Sequence, residues 1–415
     1  MEHPIIEGSQ YKQGGGRAWL VWGLCTIFVL YVFGAQTIFA VVQGSIQSSL
    51  SLNLAQIALV GSVYTWAFAV CQFFSGPILD NFGSRKSMIP AVALAVAGVW
   101  LYATAQNLPM LLLAQVVMAL GAVFGFVGAG YAGGIWFGMA NFGLMFGLVE
   151  TSSSVASAFE QQLTALALKY ITWRELMEGI GVLGLVLLAG VVLWVRNPVP
   201  VKPQKANVVG KVFSDLSVFL KSPQHWICGV WGGITFGINL AVGVIWAPHI
   251  MTAKGFDMAV SNWAASLVWL GLGVGSLIWP KWTDWVHSRK KPAQIGIVIQ
   301  LSTLAALIYL PGDVSAVVFL LLWFINGVGS ANEMNAFQIA ADMVPPSLVG
   351  ASAAFVNGLM FIIGGILMNV PAQLLGAHDQ HAAYAYLPYI GVLALALVLA
   401  FVQKESHPSA VHGKA

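Results

Sequence analysis

The chain has 415 residues, 58% of them hydrophobic and 8% charged, against about 25% charged in ordinary soluble domains, and its mean hydropathy is +0.81. So few charges cannot cover a soluble protein of this size, and apolar runs longer than about 18 residues recur, which places the chain among all-α proteins that cross a membrane many times. The net charge of +3 is too small to argue for a nucleic-acid partner. Cys25, Cys71 and Cys228 all lie inside apolar runs, so they form neither a disulfide framework nor a metal-ligand pattern, and no cofactor is expected.

The segment up to Gly16 is polar and Gly-rich. The apolar run after it, about 25 residues, is too long for a signal-peptide core and reads as a retained membrane helix. Twelve helices are predicted, with ends good to about two to four residues: about 18–43, 55–79, 86–106, 109–137, 142–168 and 175–195, then about 224–250, 260–282, 292–311, 314–343, 348–373 and 382–402. This divides the chain into an N-terminal tail over 1–17, a six-helix bundle over 18–195, a linker over 196–223, a second bundle over 224–402 and a tail over 403–415. The linker carries Pro198, Pro200, Pro203 and Pro223, and a short helix over about 212–219 is expected to lie along the membrane surface. Fifteen of the eighteen Lys and Arg fall in the tails and even-numbered loops, with Lys169, Arg174 and Lys254 on the other side. Basic residues near helix ends stay cytoplasmic, so both termini are expected there, in a multi-pass protein of the inner or plasma membrane.

Between predicted helices 2 and 3 runs GPILDNFGSRK, Gly76 to Lys86; a worn copy, WPKWTDWVHSRK from Trp279 to Lys290, places Asp284 204 residues after Asp80. The first stretch resembles the loop signature of the major facilitator superfamily of membrane transporters. Gly76, Asp80, Asn81, Phe82, Gly83, Arg85 and Lys86 take the signature's places, with Ser84 where a first Arg is common. The copy keeps Asp284, Trp285, Ser288, Arg289 and Lys290 but has His287 in place of glycine. Other stretches repeat as well: Phe33–Gln36 matches Phe236–Asn239, and Ala119–Gly121 matches Gly327–Gly329. Such duplication fits two related halves.

The resemblance implies two pseudo-symmetric six-helix bundles around a central cavity, lined by helices 1, 4, 7 and 10 and opened alternately to each side. It also implies a gate: the loop acid caps or contacts a neighbouring helix end across the bundle interface, and the basic residues bridge helices, favouring the outward-facing state. That role carries over to Gly76, Asp80, Gly83 and Arg85, and to Asp284 and Arg289 in the copy. The plainer reading of Arg85 and Lys86 is that they are positive-inside anchors.

Carboxylates inside the helices are costly and point to function. Glu150 and Glu333 lie about 12 Å and 15 Å along their helices from the nearer end, one in each half, and are the proton-coupling candidates. Glu160 is nearer the outer end of helix 5. The plainer alternatives are a hydroxyl-rich helix contact for Glu150 and a permanently neutral Glu333 bonded to neighbouring amides. Gln36, Tyr64, Asn239, Trp269, Asn332, Glu333 and Asn357 are the substrate-binding candidates. Gln36 and Asn239 correspond through the repeat and would suit a hydrogen-bonding solute or act as interhelical glue; Trp269 would offer a stacking wall. No Lys or Arg lies in the core of a predicted helix, and Gln115 stands where proton-coupled relatives carry a helix 4 Arg.

The expected function is therefore secondary active transport of a small polar organic solute, neutral, zwitterionic or cationic, with the proton as the candidate coupling ion. Alternatives are a carrier of organic anions or carboxylates, and an exporter or importer of amphipathic compounds or metal chelates such as siderophores. The expected partners are the solute, a coupling ion and the lipid bilayer, with the chain acting as a monomer. No nucleophile, metal or cofactor constellation argues for an enzyme.

Overall fold

A computed structural model describes residues 6–200, 208–374 and 383–409; residues 1–5, 201–207, 375–382 and 410–415, which include parts of the expected tails and linker and the expected start of the last helix, lie outside the described residues. Among the described residues eleven stretches are long and apolar enough to cross a membrane, and one of them, Leu59–Ala103, is two crossings in series. It belongs to α3 (Leu54–Ala103), which follows α1 (Gly16–Thr37) and α2 (Phe39–Ser49). The loop expected between helices 2 and 3 reduces to a break at Gly83, with φ 72° and ψ 175°, a conformation that only glycine adopts without strain. Then come α4 (Leu108–Ala122), α5 (Gly125–Phe137), α6 (Phe142–Ala167), α7 (Trp173–Trp194) and the linker helix α8 (Val208–Leu220). The second half holds α9 (Pro223–Ala241), α10 (Ala247–Ala253), α11 (Met258–Trp285), α12 (Lys290–Tyr309), α13 (Ala316–Ser330), α14 (Met334–Asp342), α15 (Val349–Leu374) and α16 (Leu387–Val402).

Side chains set several of these starts. Asn53 and Gln56 exchange side-chain to backbone bonds, both 2.9 Å, at the head of α3, and Thr172 and Glu175 do the same at α7. Asn107 caps α4 ahead of Pro109, and Asp257 caps α11. Each such cap contributes about 1 kcal/mol by satisfying an orphan N–H.

The described residues form two compact units. Unit 1 comprises the chain to Val149, Phe159–Ser217 and Ser347–Ala354; unit 2 comprises Glu150–Ala158, Val218–Pro346 and the chain from Phe355. Within unit 1, Gly121 of α4 sits against the backbone of Ala91 and Ala95 in α3. Within unit 2, Gly329 of α13 sits against Gly296 and Gln300 in α12, at the repeat-related place. Glycine at these contacts lets backbones approach where lipid supplies no hydrophobic drive between helices.

Four crossings are interrupted near their middles, and they are the four that the family resemblance puts around the cavity. The first is perturbed at Ile38 between α1 and α2, where Val41 N–H turns to the Ile38 carbonyl while Ile38 itself keeps helical φ and ψ of −53° and −32°, and the seventh passes through a π-helical segment, Val242–Trp246, 204 residues later. The fourth breaks at Val123 and Phe124, and the tenth through a 3-10 turn, Ala331–Glu333, offset by the 208 residues that also relate Gly121 to Gly329. Among the described residues the other crossings run as α-helix apart from Gly83 and from 3-10 turns at the starts of three of them, Met139–Asn141, Pro346–Leu348 and Ala383–Tyr386. Interrupted helices expose backbone polar groups at membrane depth, which a bilayer tolerates only where protein or a wet cavity meets them.

Candidate functional site

The polar groups of unit 2 gather on these breaks. Glu333 ends the 3-10 turn, is only 1% exposed, and leaves its Oε2 without a hydrogen-bond partner. Two residues on, Asn335 is fully buried with both amide atoms unpartnered, and Asn239, just before the π segment, is in the same condition. The helix carrying Asn239, α9, packs against the 3-10 turn and α14. Asn357 of α15 adds an unpartnered Nδ2. A buried polar atom without a partner costs about 1–3 kcal/mol, so these six atoms on three broken or adjoining crossings mark places held open for a ligand or water.

Glu150 belongs to this unit too. Its Oε1 accepts a bond from Ser154 at 3.2 Å, and it lies within electrostatic reach of Glu333. The segment that carries it is pinned to α11, where Thr151 donates to the Gly273 carbonyl at 2.7 Å and Ser266 donates to the Ala158 carbonyl at 2.8 Å. Two acidic groups thus share one unit, each within the other's electrostatic reach.

Other candidates serve as supports. The Trp269 indole donates to the Gly243 carbonyl at 3.2 Å, inside the π segment, and so satisfies a carbonyl of the distorted turn. Asn332 donates to the Gly329 carbonyl at 2.6 Å and packs against Gly296. Asn326 bonds the Gln300 carbonyl and Thr303, both at 2.9 Å, while Ser330 and Gln300 both donate to the Thr235 carbonyl. These bonds brace the break from behind.

In unit 1, Gln36 is half-buried one residue before the end of α1 and Tyr64 is buried, its ring stacked on Phe68. Next to Gln36, Thr37 donates to Glu160 Oε2 at 2.6 Å, and Gly34 makes room for that carboxylate. Sequence alone gave Glu160 no role. Its sign was a glycine and a hydroxyl three residues apart on a facing helix, a pattern too common to single out.

At the first signature, the Asp80 carboxylate accepts the N–H groups of Gly350 at 3.2 Å and Ala351 at 2.9 Å, capping the start of α15. Gly76 touches the Gly350 carbonyl, so that a side chain there would collide with backbone. Arg85 donates to the Val195 carbonyl at 2.8 Å, and its own N–H goes to Asn197 at 3.1 Å. In the copy, Arg289 donates to Asp284 at 2.8 Å, Thr283 at 2.8 Å and Asp342 at 3.2 Å. Asp80 thus meets a helix terminus where Asp284 meets a guanidinium.

A model of the Major Facilitator Superfamily matches residues 24–369 and again 236–414. The chain is 20% identical over 394 residues to the uncharacterized transporter YybO of Bacillus subtilis, covering 88% of each chain. It is 26% identical to the cyanate transport protein CynX of Escherichia coli over 44% of this chain and 47% of that one, and 23% identical to the probable sulfoacetate transporter SauU of Cupriavidus necator over 79% and 86%. The crystal structure of the human organic anion transporter MFSD10 superposes with a TM-score of 0.73 at 10% identity, over 92% of this chain and 99% of that chain, a likeness of fold. The chain is a member of the Major Facilitator Superfamily, a multi-pass membrane transporter and not an enzyme.

Proposed function

We propose that the protein is a secondary active transporter that binds a small polar solute, neutral, zwitterionic or cationic, at the amides of Asn239, Asn335 and Asn357 and couples its passage to protonation of Glu333. The observation that carries this reading is the set of unpartnered buried amide and carboxylate atoms at the breaks of the seventh and tenth crossings. A solute with donors and acceptors satisfies those atoms, and binding then biases one conformation only if the satisfied geometry differs between states. Two neighbouring carboxylates favour a shared proton or a cationic group, since both cannot ionise cheaply at membrane depth. Asp80 and Arg85 form the gate in this scheme, with Asp284 and Arg289 as its counterpart. The Lys and Arg distribution supports a cytoplasmic position for both termini, and the match over the whole chain supports a six-plus-six helix division at the linker.

A second reading rests on the relatives: transporters of cyanate and, probably, of sulfoacetate and L-galactonate appear among them. In that reading the same Nδ2 groups donate to the oxygens of an organic anion, and a protonated Glu333 removes the repulsion. A melting-temperature panel on purified protein separates the two. Amines, amino acids and polyols raising the transition support the first reading, and stabilisation by carboxylates or sulfonates alone replaces it with the second.

A further inference from the structure

In unit 2 the chain beyond α16 folds back over the second signature. The Glu405 carboxylate accepts the Ser288 hydroxyl at 2.6 Å and the backbone N–H of Arg289 at 2.8 Å, with a longer contact of 3.5 Å to the N–H of Lys290, and so caps the start of α12. It also accepts the N–H groups of Ser406 and His407, both at 3.0 Å, which turns the tail inward. Ser406 then donates to Asp342 at 3.0 Å, and the His407 ring stacks on His287 with centroids 5.5 Å apart at 19°. Nε2 of His407 lies 3.8 Å from Asp284 Oδ1. Lys290 completes the strap by donating to the Phe401 carbonyl at 2.9 Å.

Unit 1 contains the same device in neutral chemistry. Asn197 follows α7 as Glu405 follows α16, and it caps the Arg85 N–H. Its amide lies against Gly83, the residue that corresponds to His287, and both sit at positive φ, 72° and 53°. An amide and a glycine do not titrate; the Glu405 carboxylate and the His407 imidazole do. We propose that the second strap is a proton-responsive latch, in which Glu405 is the fastener and His407 the sensor, docked near neutral pH and released on acidification of the compartment that the tail faces. Release frees the ends of α11, α12 and α14 that Arg289 gathers through Asp284 and Asp342.

The charged and titratable groups around His407 are Asp284 and His287 at the end of α11, Arg289 and Lys290 at the start of α12, Asp342 at the end of α14 and Glu405 in the tail. Burial lowers the His407 pKa below the ordinary histidine value; Arg289 and His287 add to this, and Asp284 and Glu405 oppose it. For Glu405 burial pushes upward, but the Ser288 hydroxyl and the N–H groups of Arg289, His407 and Lys290 outweigh it, and its pKa also ends below the ordinary value. Both groups therefore take up protons more readily once the tail is free. The histidine contribution to docking is complete above about pH 6.5 and is lost as pH falls through the lower, docked value. The carboxylate adds a loss of the same sign at lower pH.

Hydrogen exchange of the full chain in lipid nanodiscs, corrected for intrinsic rates, tests this. At pH 7.5 the tail amides of Ser406 and His407 and that of Arg289 are expected to exchange at least tenfold more slowly than at pH 5.5, while the Arg85 amide stays protected at both. Glu405→Gln is expected to abolish the protection at both pH values, and His407→Gln to retain it at pH 5.5. Protection independent of pH, an equal loss at Arg85, or unchanged protection in Glu405→Gln overturns the latch. If His407→Gln undocks the tail at pH 7.5, the wild-type midpoint decides: between about 5 and 6.5 it assigns the histidine, and below about 4.5 it leaves only carboxylates and rejects the sensor.

Discussion

Glu333 owes its position to a backbone detail. Three residues of 3-10 turn separate α13 from α14, and the carboxylate emerges from the last of them. Asn326, Ser330 and Asn332, which share its polar stretch, each spend a side-chain donor on bracing the turn, whereas Oε2 of the acid and both amide atoms of Asn335 are left to meet a solute. With a transported solute in hand, Glu333→Gln should abolish uphill uptake driven by a proton gradient in proteoliposomes while leaving counterflow exchange within about twofold, because the amide keeps the hydrogen bonding and loses only the exchangeable proton. Undiminished gradient-driven uptake would remove Glu333 from coupling. Gly83 is the other residue whose role is set by backbone geometry. Gly83→Ala should lower stability by about 1–3 kcal/mol, read as a drop in melting temperature, since its φ of 72° is strained for alanine and the new methyl would meet the Asn197 amide.

Among the elements, α15 depends on Asp80 most directly. Its start at Gly350 and Ala351 has orphan N–H groups facing a carboxylate, a charge-assisted cap that contributes about 0.5–2 kcal/mol. Asp80→Asn keeps an acceptor and loses the charge. It should shift the labelling rates of cysteines placed at the two mouths of the transport path in opposite directions, and equal rates in both proteins would reduce the motif to an anchor. Gly76→Val tests the same contact by bulk. No rotamer relieves a collision with a backbone carbonyl, so the variant should lose yield of folded protein on size exclusion, whereas Gly179→Ala, with open space at that position, should not.

At the scale of the whole chain, the repeat is written twice over. The signature recurs with an offset of 204 residues in sequence, and the same offset relates the break at Ile38 to the π segment at Val242 and Gly83 to His287 in backbone conformation. Duplication preserved the geometry and let the chemistry drift, from an acid on a helix terminus to an acid on Arg289, and from a neutral strap to a titratable one. The neutral copy provides an internal control: acidification from pH 7.5 to 5.5 should raise exchange at the ends of α11 and α12 and leave the start of the helix after Gly83 unchanged.

Membrane class, twelve crossings, the repeated signature and an acid at a helix end were legible from sequence because each depends on local composition or on a motif contiguous in the chain. Apolar runs of membrane length have one stable outcome in a bilayer, and an acid at a fixed place beside a helix junction has few partners. The breaks in the first, fourth, seventh and tenth crossings were not legible, since glycines and amides occur in unbroken crossings too, and in the seventh the distorted helix depends on carbonyls that Trp269, Gln300 and Ser330 of other helices satisfy. Which of several buried amides is spent on bracing and which is left open was likewise decided by packing. The strap from Glu405 to Asp284 joins residues more than a hundred positions apart, and only the return of α16 to the side where α11 ends brings them together. Sequence by itself determined what kind of molecule this is; the tertiary structure decided which of its polar groups are free to act, because hydrogen-bond satisfaction in a membrane is settled between helices and not along them.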